Sequence, residues 1–357
     1  MSRDDPLEEW IVHSDFDLPA ERLAELHAES HAGLEQLADY LNHPPKRANL
    51  LDVRLGWWSK VGLASMDLPQ AQGLYRRVYI TGGAGNTYTQ ENLLHLIAAT
   101  HDPTSIPFWL ELLDLSRPRD SFTTKRRTIA LAALAFLIIR TQDPAAVTAL
   151  RQATRHTNPD IRALAVYYLG RAFSFPEPAV PHDIILALNE IAVHDTACLA
   201  RFQARSILRA AEQPVPFDNP GGVYAFKVMF KWAKHIYRTI ELKSEQTLDD
   251  LHFAILRSID WDSDHLYSFF MNGERWDERY AFACPYEEEK PPWTDEAIIG
   301  ELGLTLKHKF LYLFDYGDGN EFEIQIISIH PQASARQYPR VVDSQGKAPE
   351  QYGSGEE

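Results

Sequence analysis

The chain has 357 residues, 45% of them hydrophobic and 24% charged, enough apolar material for two or three packed domains. Thirty-five Lys and Arg against fifty Asp and Glu leave a net charge of −15, which argues against a whole-surface binder of nucleic acid or anionic membrane and confines any such contact to a local patch. Two cysteines, Cys198 and Cys284, neither build a disulfide framework nor complete a four-cysteine zinc site, and their number fits a reducing compartment. With a polar start, Met-Ser-Arg-Asp-Asp-Pro, and a longest apolar run from Ile129 to Ile139, well short of the roughly 20 residues that span a bilayer, the expectation is a cytoplasmic protein without membrane contact.

Residues 17–100 read as mostly helical, with Leu23, Leu26, Leu34, Leu37 and Leu41 early and Leu93, Leu94, Leu96 and Ile97 late. Thr81-Gly-Gly-Ala-Gly-Asn-Thr87 has the glycines of a phosphate loop but neither the following Lys-Ser/Thr nor Gly-x-Gly-x-x-Gly, so it reads as a loop entering the next helix. Asp102-Pro103 and Asp143-Pro144, 41 residues apart, each have the form of a capped helix start, because Asp accepts from free N–H groups and Pro is tolerated in a first turn. Each opens a first helix. Second helices are predicted at Thr123–Arg140 and Asn158–Gly170, and a third pair at His182–His194 and Ala197–Ala211. This stretch resembles the HEAT family of helical repeats, whose period lies near 40–47 residues. The resemblance implies an α-solenoid in which each pair covers the apolar face of its neighbour.

Gln213-Pro-Val-Pro-Phe-Asp-Asn-Pro-Gly-Gly222 breaks the helical pattern and marks the expected domain junction. The expected domains are therefore a helical one over 1–212 with its clearest repeats at 102–212, the linker 213–222, an α+β domain over 223–352 and a mobile tail at 353–357. Charge divides along these lines: residues 102–212 carry 13 basic and 11 acidic side chains, whereas residues 224–357 carry 14 and 24. After the linker, Tyr224, Phe226, Val228 and Phe230 alternate as in a strand, and His235–Leu242 completes a hairpin. Thr247-Leu-Asp-Asp250 has the form of a capping box, followed at helical spacing by Leu248, Leu251, Ile255 and Ile259. Leu266–Met271 is predicted as a strand, Asp295–Leu302 as a short helix, and Lys309–Phe314 and Glu321–Ile329 as strands around a turn with Asp318-Gly319. The sum is a multidomain α and α+β chain whose second domain has a mainly antiparallel sheet crossed by a helix.

The runs Leu251-His252, Ile259-Asp260-Trp261-Asp262-Ser263-Asp264-His265-Leu266-Tyr267-Ser268-Phe269 and Phe310-Leu-Tyr-Leu-Phe-Asp315-Tyr316-Gly317-Asp318, with Ile236–Ile240 before them and Tyr338-Pro339-Arg340 after, resemble the Ri-plasmid open-reading-frame-three family, whose members are also described as transposon passenger proteins. The resemblance implies a small bacterial α+β domain, often near mobile elements, with no settled biochemical activity. It makes Trp261, Asp262, His265, Asp315, Gly317 and Asp318 the motif residues. After Asp318 the family often carries a Trp and, two residues on, a His; here Asn320 and Phe322 stand in those places, so a site using that His would be lost. The terminal Pro349-Glu350-Gln351-Tyr352 lacks the cysteines of many relatives, which counts against a metal role there.

Two side-chain sets are candidate sites. Arg201, Arg205 and Arg209, four apart on one predicted helix, together with Lys125, Arg126, Arg127, Arg151, Arg155 and Arg162, would line a basic surface able to hold an acidic peptide or phosphate backbone. The other readings are a solvated face, or a stripe docking on the acidic C-terminal domain. His252, His265, Asp315 and Asp318 carry donors suited to a divalent metal, although their spacing is not diagnostic and His252 falls beside core leucines. The sequence thus points to a non-enzymatic binding or adaptor protein with a protein partner and no cofactor. The alternatives are a metal-dependent hydrolase or nuclease in the C-terminal domain, and a nucleic-acid binder through the basic middle repeats.

Overall fold

A computed structural model describes residues 87–114, 123–174, 180–287 and 292–352, with isolated positions 6, 7, 73, 76, 79 and 80. The expectations for residues 17–72, for the Gly82–Gly85 loop and for the tail from Gly353 lie outside the described residues. No described helix is long and apolar enough to cross a membrane. The described residues divide into two compact units, one up to Val180 and the other from Pro181.

The first unit is helical in its described part: α1 (Thr87–Ala99), α2 (Ile106–Asp114), α3 (Thr123–Thr141), α4 (Pro144–Ala153) and α5 (Pro159–Ala172). The approach to α2 and the starts of α4 and α5 follow the Asp/Asn-Pro signals. Asp143 accepts from the N–H groups of Ala145 and Ala146, and Asn158 does the same for Asp160 and Ile161. Asp102 caps a short 3-10 turn, Pro103–Ser105, that leads into α2. α3 packs on α2 and on both helices of the next pair, and α2 also meets α4. Every residue of α3 from Thr128 to Ile138 is buried, as expected of a helix apolar on all sides. His156, in the turn after α4, bonds Asp114 at the end of α2 across 2.9 Å, linking equivalent turns of the two pairs.

The second unit begins with the third predicted helix pair, α6 (His182–His194) and α7 (Cys198–Ala210), and continues into a seven-stranded antiparallel sheet. Its strands are β1 (Val223–Phe230), β2 (Ala233–Lys243), β3 (Tyr267–Phe270), β4 (Ala281–Ala283), β5 (Lys309–Phe314), β6 (Asn320–His330) and β7 (Arg340–Gln345), in the order β4-β3-β5-β6-β1-β2-β7. α8 (Leu248–Ile259) starts at the predicted capping box, Thr247 with Asp250. Tyr224, Phe226, Val228, Phe230, Phe310, Tyr312, Phe322 and Ile324 make the apolar face of the sheet, and α8 covers it with Leu248, Leu251 and Ile255.

The compact units part at Val180/Pro181, upstream of the Pro/Gly segment expected to be the junction. The reason lies in α7, whose Cys198 and Phe202 join the core of the sheet. The Phe202 ring stacks on Tyr280 and meets Phe282 edge-on. Gly303, at φ +72°, lets the chain pass against α7, where a Cβ would lie 3.0 Å from that of Arg201. The helix predicted at Asp295–Leu302 shrinks to a 3-10 turn, Ile299–Glu301. Its backbone is drawn out of helical pairing by bonds from Leu248 N–H to Ala297 O, Ile299 N–H to Gln246 O and Gly300 N–H to Ser244 O.

The same turn receives the arginines of α7. The fully buried Arg205 donates to Ala192 O on α6, to Gly300 O and to the Asp218 carboxylate. Arg201 also pairs with Asp218, and Arg209 with Glu301 at 2.8 Å. Removing one partner of such a buried network strands the others, at a cost of about 3–5 kcal/mol. Urea unfolding of Arg205→Ala is therefore expected to show a loss of that size in the second unit, against less than about 0.5 kcal/mol for the exposed Arg155→Ala; equal losses would contradict the assignment.

Candidate functional site

The motif residues gather where α8 ends. Asp260 takes a left-handed conformation at φ 61°, and Trp261 N–H bonds back to Leu256 O at 3.1 Å, closing the helix. The chain then turns through Asp262–Leu266 into β3. Trp261 drops its ring onto Phe230, Phe314 and Phe322 and donates its indole N–H to Pro349 O at 2.9 Å. Gln351 completes a clasp: its side chain accepts from Asp262 N–H at 2.6 Å and donates to Asp262 O and to Asp264. Tyr352 donates to the Asp264 carboxylate, which holds that carboxyl below its ordinary range and pushes the phenol up to about 12.

His265 lies beside three of these groups. Its Nε2 is 3.7 Å from Asp264, 3.6 Å from Asp315 and 3.5 Å from the Tyr352 hydroxyl. Asp315, itself left-handed at φ 58°, turns one carboxylate oxygen to the N–H groups of Gly317 and Asp318 at 2.9 and 3.3 Å. Gly319 takes the other left-handed position, at φ +67°. Asp315, Gly317 and Asp318 therefore build the β5–β6 turn, with one Asp315 oxygen left toward His265.

Behind this surface cluster is a buried polar network. His252 on α8 is fully buried, with Nδ1 2.7 Å from the Tyr312 hydroxyl and Nε2 3.0 Å from Ser263 Oγ. Its ring stacks on Tyr267 at 3.6 Å, nearly parallel. Tyr267 in turn donates to Asp249 and lies 3.1 Å from Thr294 Oγ1. A neutral imidazole supplies one donor and one acceptor, and the two hydroxyls can take the complementary roles in either tautomer. Burial pushes the His252 pKa down to about 3, raises that of Asp249, and holds both tyrosine hydroxyls protonated well above their usual range.

The four metal candidates are not brought into one set. Both nitrogens of His252 are occupied inside the core, His265 and Asp315 face each other at the surface, and the exposed Asp318 offers its N–H to Asp315. Among the described residues no group of three or more His, Cys, Asp or Glu is placed to hold a metal ion. The cysteines are buried, and burial pushes the Cys198 thiol up to about 11.

The basic set is likewise scattered. Arg201, Arg205 and Arg209 do not form an outward stripe; they point into the second unit, on Asp218 and Glu301. In the helical unit, Arg126 is buried, Arg127 donates to Leu113 O, and Arg162 donates to His156 O and Thr157 O. Arg151 is half-buried and Arg155 exposed, while Lys125 pairs with Glu91 at 2.7 Å and is 58% exposed. The sequence does not mark Asp218, Glu301, Ser263, Tyr312, Asp249, Gln351 and Tyr352 as site residues. Of these, Tyr312 was signalled by a hydroxyl on the apolar side of an alternating strand, and Asp218 by being the one acid in a Pro/Gly segment next to an arginine series.

Residues 222–355 match the family model described as Plasmid pRiA4b ORF-3-like protein, in agreement with the resemblance seen over 223–352. The match takes in the sheet, α8 and the Trp261–Tyr352 clasp, and leaves out α6 and α7. No curated protein matches the chain. Among solved structures it is similar to a protein of unknown function from Methanosarcina mazei Go1, at 25% identity over 36% of this chain and 72% of that one, with a TM-score of 0.31.

Two outcomes follow. An unfolded histidine titrates near 6.5 and the folded His252 near 3, so the unfolded state binds the extra proton in between. Stability should be full above about pH 6.5 and fall as pH drops toward 3, by up to about 1.4 kcal/mol per unit from this group. Denaturation of His252→Gln should lack that component; an identical pH dependence would refute it. Gln351→Ala should speed hydrogen exchange of the Asp262 amide while leaving α8 amides protected, and an unchanged Asp262 rate would deny the clasp.

Proposed function

We propose that the protein is a non-enzymatic binding or adaptor protein of the mobile-element-associated bacterial type, in which HEAT-like stacking of helix pairs offers an extended surface to a protein partner. The observation that carries the reading is the internal pairing of the buried acid–base groups in the family-matched segment. His252 spends both ring nitrogens on Tyr312 and Ser263, and Tyr267 and Tyr312 are buried with strongly raised pKa values. Such groups hold a fold together and are poor proton shuttles at neutral pH. The plasmid origin in the family description supports the mobile-element assignment.

The helical unit adds support for the solenoid. Its first helices meet first helices and its second helices meet second helices, the contact pattern of stacked repeats. With the α7 arginines used internally, the basic positions left for a partner are led by Lys125 and Arg155. The test is affinity purification of the tagged full-length chain from its own host, beside Lys125→Glu with Arg155→Glu. One protein recovered near equimolar ratio, and lost in the double variant at unchanged melting temperature, is the expected result. Retention of that protein by the variant would reject this surface, and turnover of a substrate by the purified chain would reject the non-enzymatic reading.

A further inference from the structure

The sheet has a second face, turned away from α8, and the charge of the unit is distributed unevenly about it. Strand register places Lys227, Lys243, Lys309, Glu241, Glu321, Glu323 and Asp343 on this face, opposite in parity to the core residues of their strands. Lys231 and Arg275 bond Glu321, Lys234 bonds Glu323, and Arg340 bonds Glu241. Seven of the thirteen described basic residues between 224 and 352 thus collect here with four of the twenty described acids. A unit that is strongly acidic overall carries a locally cationic face.

The heights of the groups sharpen this. Glu321 and Glu323 are each shared by two cations and are recessed, at 18% and 22% exposure, whereas Lys231, Lys234 and Lys309 stand 51–53% exposed above them. Lys309, Gln325 and Lys227 lie directly opposite one another across β5, β6 and β1. The two lysines of that row are about 10 Å apart by strand spacing. Aromatic rings are set among the charges: Lys227 lies 4.0 Å over Tyr237, Lys243 and Arg340 flank Tyr338, and Arg275 lies over Trp276, which is 48% exposed.

We propose that this face binds single-stranded nucleic acid, the lysines holding phosphates and Trp276, Tyr237 and Tyr338 offering surfaces for bases at separate points along it. An acidic peptide would be served by the cations alone. Exposed cations interleaved with rings, standing above the buried Met229, Leu311 and Leu313 of the same face, answer a ligand that is both anionic and flat-faced.

The experiment uses the full-length chain and a fluorescein-labelled oligothymidylate of about 20 nucleotides, longer than the roughly 4–16 that one such platform covers. Anisotropy is read from about 50 to 200 mM salt. Lys231→Gln, Lys234→Gln and Lys309→Gln combined should weaken binding at low salt about tenfold or more and reduce the slope of log K against log salt by about two, at roughly 0.7 per lost phosphate contact. Trp276→Ala should weaken binding about fivefold or more with the slope unchanged. Lys125→Gln with Arg155→Gln, on the helical unit, should leave binding intact. The proposal is overturned if the wild-type chain does not bind, if the triple variant binds as well as wild type with an unaltered melting temperature, or if loss follows the Lys125/Arg155 pair instead. Displacement of the oligonucleotide by poly-glutamate at equal charge would assign the face to acidic proteins and overturn it as well.

Discussion

The buried guanidinium of Arg205 is the point on which the second unit turns. One planar group donates to α6 through Ala192 O, to the 3-10 turn through Gly300 O and to the linker through Asp218. A charge in the interior is tolerable only with such complete pairing, so each partner fixes the others. The consequence is organisational. A helix pair that by pattern belongs to the preceding repeats is held as part of the sheet unit, and the proline-rich segment beside it is a strapped element with Asp218 as its anchor.

The sheet then separates two kinds of chemistry by strand parity. On one face aromatic and aliphatic side chains receive α8, and the polar exceptions, His252, Tyr267 and Tyr312, satisfy one another through hydroxyl and ring contacts. On the other, lysines stand above recessed glutamates beside a smaller apolar cluster of Phe270, Leu311 and Leu313. Because successive residues of a strand point to opposite sides, the motif-bearing strands β3, β5 and β6 serve both faces at once. The Asp-Trp-Asp-Ser-Asp-His run gains meaning in the same way: Trp261 packs inward, while Asp262, Asp264 and His265 meet Gln351, Tyr352 and Asp315 outside.

Much of the architecture was legible in the sequence because its signals are local. The Asp-Pro and Asn-Pro starts, the Thr247/Asp250 capping box, the Tyr224–Phe230 alternation and the Asp318-Gly319 turn each act within a few residues, and each appears in the structure. What escaped depends on partners far along the chain. Arg201, Arg205 and Arg209 have the spacing of an exposed stripe, and only the arrival of Asp218 and Glu301 turns them inward. Of the readings that spacing allows, docking on acids of the same chain is the one these contacts match. Asp295–Leu302 has the composition of a helix, but the carbonyls of Ser244 and Gln246 compete for its N–H groups. The clasp between Asp262 and Gln351 joins residues 89 positions apart, and no periodicity encodes it.

The most direct test of this account is native-state hydrogen exchange on the full-length chain, comparing amides of α7 with those of β1 and β6. If the Arg205 network makes the helix pair part of the sheet unit, α7 amides will exchange with the same opening free energy as the central strands and respond to denaturant with the same slope. Opening of α7 at markedly lower free energy, or in step with α3 and α5 while the sheet stays closed, would contradict it.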